Sequence, residues 1–239
     1  MTASIAALFR YPIKGFAPEP QKNVDLAVGE GFPFDRMFAI EDGPSGFDAA
    51  RPAFVSKQKF TVLAKYAEVA RARTAYDETT GTVRAAAGGL PDLEADLTTP
   101  TGQSAFCAWV ADLLKAETDR PLRLVQAAGH RFTDHPLGHI SILNLASVRD
   151  LESELGLPVD PLRFRANLHV EGWPAWAELD WTDRTLRLGD AEAKVFKPIV
   201  RCAATEVDPV TAVRDLDMTT ALFDHYGHLN MGIYVQVTK

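Results

Sequence analysis

The sequence is short of cysteine, and that absence excludes several chemistries. Of 239 residues only Cys107 and Cys202 are cysteines. A secreted disulfide framework uses more. An all-cysteine iron–sulfur cluster needs four thiolates, so this chain alone cannot hold one. Excess positive charge is missing too: 25 Lys and Arg stand against 32 Asp and Glu, a net charge of -7. Such a balance argues against a nucleic-acid partner, because phosphate contacts need a basic surface. No apolar run approaches the roughly 18 residues of a membrane span, so no membrane partner is expected. Met1 to Phe9 is only mildly apolar and lacks a basic start, so no leader peptide is expected. A reducing, cytoplasmic location follows as the default expectation. G-x-G-x-x-G, a phosphate loop ending in Gly-Lys-Ser/Thr, and G-x-S-x-G are all missing, so Rossmann, P-loop and α/β-hydrolase readings have no support.

What is present is enough apolar residue, 46%, for one large domain or two small ones. Short apolar and β-branched runs recur, most ended by Gly or Pro. They predict strands at Ile5–Arg10, Val24–Val28, Met37–Ile40, Thr61–Ala70, Thr82–Ala86 and Leu122–Val125. Further strands are predicted at Ile140–Leu143, Asn167–Val170, Thr185–Leu188, Lys194–Phe196, Ala203–Val207 and Ile233–Val237. Strands at this spacing suggest sheets closing into a barrel.

Helical periodicity is confined to three places. Phe106, Trp109, Val110, Leu113 and Leu114 lie on one helical face, as do Leu145, Val148, Leu151 and Leu155. Asn144 is the expected N-cap of the second helix and Gly156 its stop. A short third helix is expected near Thr219–Phe223. The fold class is therefore α+β and β-rich. Gly88 to Gly102, mixed in Gly, Pro, Asp and Thr, is the expected boundary. It gives a smaller N-terminal β lobe over 1–95 and a barrel with flanking helices over 96–239.

Few residues stand out as chemical. Cys202 directly follows Arg201, and a nearby cation favours the thiolate, which is both nucleophile and metal ligand. From the local sequence alone it reads more readily as a small buried hydrophobe in a strand. Cys107 sits beside an apolar helical stripe and reads as buried. Arg163 and Arg165, at i and i+2, fall on one face of an extended chain, with Asn167 following. Such paired guanidiniums suit a phosphate. Lys14 and Arg36, taken singly, read as solvated charges or ion pairs. His130, His135 and His139 lie in a Pro- and Gly-containing loop and lack the helical spacing of a zinc peptidase. The Thr205 to Asp215 stretch, containing Asp208-Pro209 and Asp215, reads as a capped turn.

Taken in order, the phrases resemble one family. Tyr11-Pro12-Ile13-Lys14-Gly15 and Asp35-Arg36 look like the N-terminal β-barrel domain that accompanies MOSC domains (molybdenum cofactor sulfurase C-terminal domains). Phe132-Thr133-Asp134, Ile140 to Ser147, Arg163 to Asn167, Trp176-Ala177-Glu178, Arg201-Cys202 and Gly227 to Val235 look like the MOSC domain itself. The resemblance spans nearly the whole chain. It implies a molybdenum-pterin cofactor, a dianionic phosphate ester carrying a dithiolene. It implies Cys202 as catalytic residue and molybdenum ligand, and Lys14, Arg36, Ser147, Arg163, Arg165, Asn167 and Arg201 as cofactor contacts. It also implies an oxidoreductase acting on small N-hydroxylated or N-oxide substrates, with a separate electron-transfer protein as partner. The alternative is a sulfur carrier or cofactor-transfer module in which Cys202 holds a persulfide supplied by a cysteine desulfurase. Two positions depart from the reductase pattern: Gly15 replaces Ser, and Ala166 replaces Pro.

Overall fold

The structure is a computed structural model describing residues 3–137 and 139–239. Met1, Thr2 and Gly138 (part of the expected histidine loop) lie outside the described residues.

The chain runs β1 (Ser4–Arg10), β2 (Glu19–Gln21), β3 (Ala39–Asp42), β4 (Arg73–Asp77), β5 (Thr82–Ala86), β6 (Leu93–Asp96) and α1 (Pro100–Leu114). It continues β7 (Leu122–Val125), β8 (Ile140–Asn144), α2 (Leu145–Leu155), β9 (Leu168–Glu171), β10 (Thr185–Leu188), β11 (Ala191–Val200), α3 (Met218–Tyr226) and β12 (Asn230–Val237). The main sheet has seven strands in the order β10-β11-β12-β8-β9-β1-β2, curled into a half-barrel. A three-stranded sheet, β4-β5-β6, and a two-stranded pair, β3-β7, complete the strands. The protein is α+β and strand-rich, as its sequence predicts.

Each helix has a local cause. Thr99 caps α1 by accepting from the Gly102 N–H at 3.1 Å, with Pro100 at the first helical position. Asn144 caps α2 through the Ala146 N–H, and Gly156 ends it with φ +66°. The apolar face of α1 covers the three-stranded sheet and includes buried Phe106, Val110 and Leu114. α2 and α3 share a second apolar cluster through Val148, Leu151, Met218 and Leu222. Among the described residues no helix is long and apolar enough to cross a membrane.

Several expected strands do not form. Val24–Val28 joins no ladder; Val24 and Leu26 instead pack their side chains against the core of the main sheet. Thr61–Ala70 becomes a turn, with both Lys65 and Tyr66 N–H groups donating to the Val62 carbonyl, and then a 3-10 helix at Ala67–Arg71. Ala203–Val207 is a 3-10 helix over Ala203–Glu206, because the Thr205 N–H and hydroxyl both donate to the Cys202 carbonyl. Short polar side chains compete with ladders in this way. Conversely, the turn-rich Gly88 to Gly102 stretch contains β6 and the first turn of α1.

One feature of topology positions the site. β1 lies between β9 and β2, so the first strand of the chain is built into the sheet made mostly by the second half. On β8 and β12, Ile140, Ile142, Ile233 and Val235 enter one core. Strand side chains alternate, so Ser141 and Tyr234, paired in register, face the other way. The cleft lies against that opposite face.

Candidate functional site

The cleft is an open cavity of about 290 Å³. Seven Lys or Arg and two Asp line it, so a chain of net charge -7 gathers its cations locally. Loops from both halves supply them. Lys14 follows β1, Arg36 precedes β3, Arg165 and Asn167 precede β9, and Arg201 and Cys202 follow β11.

The cations are held by named partners. Lys14 is buried, donates to the Phe132 carbonyl at 2.8 Å and pairs with Asp134. Burial presses its pKa down while Asp134 opposes that. Burial would raise the Asp134 pKa, but Lys14 and Lys57 outweigh it and hold the carboxyl far below its ordinary range. Arg36 pairs with buried Asp35 and donates to the Arg165 carbonyl at 2.9 Å. Arg201 donates to the carbonyls of Phe164 at 2.7 Å and Met231 at 2.8 Å. Gly232 makes room for it: with φ +75°, a Cβ there would stand 2.4 Å from the Ile142 carbonyl and 3.3 Å from an Arg201 nitrogen. Burial pushes Arg165 and Arg201 down to about 10, which leaves both cationic at neutral pH. The Arg165 Nη2 is buried with no hydrogen-bond partner among the described residues.

Cys202 lies on the wall of this cleft, partly exposed, at the end of β11. The Lys57 ammonium stands 3.1 Å from its sulfur and 3.5 Å from Asp134. Burial lowers the Lys57 pKa, but Asp134 and Cys202 outweigh it and hold the pKa above its ordinary value. Cys107, in contrast, is buried in α1 and its thiol is pushed up to about 11 by burial.

Seven of the eight expected site residues therefore meet in one cleft, though not with equal freedom. Arg163 is buried and bonds Asp208 at 3.0 Å, Asp215 at 2.8 Å and the Glu206 carbonyl at 3.1 Å. Among the described residues only its Nε lacks a partner. Asp208 in turn caps the turn after it, accepting from the Val210 and Thr211 N–H groups. The Asn167 amide accepts from the Ser141 N–H and hydroxyl and donates to the Phe9 carbonyl, stitching β8 to β1. Ser147 stands apart from the other seven: it lies outside the cleft lining, fully buried in α2. Its hydroxyl donates to Glu178 at 3.0 Å and accepts from the Trp176 N–H at 2.8 Å, so its one proton is already taken and is not offered to an anion.

Sequence reasoning missed Lys57, Ser141, Lys197 and Tyr234, and it set His135 and His139 aside as loop residues; all six line the cleft. Lys57 sits in an ordinary Lys-Gln-Lys run and gives no local signal. Ser141 and Tyr234 were legible in principle as the polar positions alternating with Ile140, Ile142, Ile233 and Val235. At Gly15 the departure from Ser has a structural cause. Its φ is +91°, and a Cβ would stand 2.5 Å from the Thr61 carbonyl, so a side chain there is strained whatever its hydroxyl could donate.

The fold and cleft together define a class: a β-rich α+β protein whose two halves build one cationic cleft with a cysteine on its wall. The chain belongs to the MOSC family, for the family model described as the MOSC N-terminal beta barrel domain matches residues 2–133 and that of the MOSC domain matches residues 129–239. It is 32% identical over 126 residues to human mitochondrial amidoxime-reducing component 1, a match covering 46% of this chain and 36% of that protein. It is 30% identical over 136 residues to the molybdenum cofactor sulfurase of Caenorhabditis elegans, covering 55% of this chain and 18% of that protein. The matches thus span about a third or less of these relatives' lengths. The YuaD protein from Bacillus subtilis aligns over 99% of this chain and 88% of its own, with a TM-score of 0.44 and 15% identity.

Proposed function

We propose that the cleft binds the molybdenum-pterin cofactor and that Cys202 is the thiolate ligand of its metal. On this reading the protein is an oxidoreductase for small N-hydroxylated or N-oxide substrates, served by a separate electron-transfer protein. One observation carries the reading: the partly exposed cysteine and the cationic lining share one cleft. The names of the relatives, an amidoxime-reducing component and a molybdenum cofactor sulfurase, point the same way.

The residues fit such a group. A dianionic phosphate is costly to bury unless several charged donors meet it. Lys14, Arg36, Arg165 and Arg201 are cationic and cleft-lining, and Arg165 has a buried N–H without a partner. They would hold the phosphate-bearing end. Arg163 and Asn167 would shape the wall that these donors stand on. When bound, the cofactor supplies two-electron and oxygen-atom transfer chemistry. The chain's own work is to bind, to orient, and to set the Lys57 ammonium 3.1 Å from the Cys202 sulfur.

The test is molybdenum analysis of wild type and Cys202→Ser purified from a cofactor-producing host. The expected result is near-stoichiometric metal in wild type and strong loss in the variant. Equal metal in both would remove Cys202 as the ligand. The Lys57–Cys202 contact also favours a second reading, a sulfur carrier, since an ammonium 3.1 Å away would steady a persulfide as well as a thiolate. Intact-mass analysis after incubation with a cysteine desulfurase and cysteine separates the two: one added sulfur on wild type, absent in Cys202→Ser, supports the carrier.

A further inference from the structure

Tyr11 is fully buried, yet it is surrounded by charge rather than by apolar side chains alone. The Arg36 guanidinium carbon lies 4.4 Å from its ring centroid and that of Arg165 4.5 Å. The Tyr11 N–H donates to Asp35 at 2.8 Å, its carbonyl accepts from the Arg36 N–H at 2.7 Å, and its hydroxyl reaches the Ala166 carbonyl at 3.4 Å. Arg36 and Arg165 both have left-handed backbones, φ +49° and +52°, which costs energy for residues other than glycine. The two guanidiniums also repel each other. Asp35 offsets that for Arg36 by a direct ion pair. Arg165 has no carboxylate in hydrogen-bonding contact, and its buried Nη2 has no partner among the described residues. What it has is the electron-rich face of the Tyr11 ring, well inside the range of a cation–π contact.

We infer that Tyr11 is a positioning residue whose ring face holds the Arg36 and Arg165 guanidiniums together, with their remaining N–H groups turned to the phosphate of the bound cofactor. The inference rests on the cofactor reading above. Its physical content is electrostatic: the ring's quadrupole, not only its bulk, keeps two like charges adjacent before the ligand arrives. Preorganised donors bind more tightly because the ordering has been done beforehand.

The test replaces the ring's charge and keeps its shape. Wild type, Tyr11→Phe and Tyr11→pentafluorophenylalanine are purified from a cofactor-producing host. Bound pterin is followed by fluorescence of its oxidised derivative during gel filtration and dilution, and Tm is measured for each. Phenylalanine keeps the electron-rich face and loses only a long hydrogen bond, so its pterin release should match wild type. Pentafluorophenylalanine reverses the face's charge at nearly unchanged size. Release about thirtyfold faster is expected, the equivalent of one desolvated cation–π contact. Equal release from all three proteins would overturn the inference while leaving the cofactor site standing. Equally fast release from Tyr11→Phe would also overturn it, because the hydroxyl would then be the important group. Wild type without pterin would remove the cofactor reading and this inference with it.

Discussion

Cys202 and Ser147 show how far residue-level reading carries. Neither residue's surroundings were legible locally. Cys202 followed an arginine, but whether its sulfur faced a core or a cleft depended on where β11 ended. Ser147 opened a helix, and only the fold shows that its hydroxyl is taken by Glu178 and Trp176. Glu178 is wholly buried and burial raises its pKa. Ser147→Ala is therefore expected to cost about 1–3 kcal/mol, the usual penalty for leaving a buried polar partner unmade. Urea unfolding measures it. Molybdenum content should not change; a fall in metal without a fall in stability would return Ser147 to the site. His169 gives a pH prediction at the same scale. Burial pushes it from 6.5 down to about 4, and its Nε2 has no partner among the described residues. As pH falls below 6.5 the unfolded chain takes the proton first, so the stability present above pH 6.5 is lost progressively toward pH 4. The ring packs on Phe9 at 4.9 Å between centroids, and His169→Phe should flatten the decline in Tm over that window. Parallel declines in the two proteins would exclude His169 as a contributor.

Among the elements, caps and periodicity were the legible signals. Asn144, Gly156 and the apolar stripe placed α2 to the residue, because each acts within one or two turns of chain. The failures have a common physics. Ala203–Glu206 and Thr61–Tyr66 contain β-branched residues that look like strand, but nearby side chains and carbonyls satisfy their backbone locally. β6 went unseen because its four residues are charged at alternate positions and sit among turn-formers. The α2 cap is also more than a cap: the Asn144 amide donates to Glu178 at 2.8 Å and to the Pro174 carbonyl at 2.9 Å. Asn144→Ala should thus cost about 2–4 kcal/mol, the sum of a lost cap and a lost bond to a buried carboxylate. Asn144→Ser, which retains the cap but is too short to reach Glu178, should fall between. Thermal unfolding of the three proteins decides; equal losses for Ala and Ser would mean the cap adds nothing, and an Asn144→Ser protein as stable as wild type would mean the Glu178 contact adds nothing.

Across the whole molecule, the site exists because the two family segments are not separate bodies in the main sheet. β1, from the first, pairs with β9 and brings Tyr11 and Lys14 to the cleft, while Arg165, Arg201 and Cys202 come from the second. No local pattern in the sequence announces that β1 crosses over; the resemblance to a family, read across the chain, was the only signal that Lys14 and Arg36 belong with Cys202. Residues 129–239 expressed alone would leave β9 an unpaired edge and uncover Leu168 and Val170. That fragment is expected to lack a cooperative thermal transition and to aggregate. A sharp transition with dispersed amide resonances would show that β1 is dispensable.

One cleft built from both halves is proposed to hold a molybdenum-pterin cofactor. The measurement that bears on it most directly is the molar ratio of molybdenum and of pterin to protein in the wild-type chain, purified from a host that makes the cofactor. Both ratios are expected near one, with pterin binding weakened in Arg165→Met. Wild-type protein carrying neither molybdenum nor pterin would contradict that proposal.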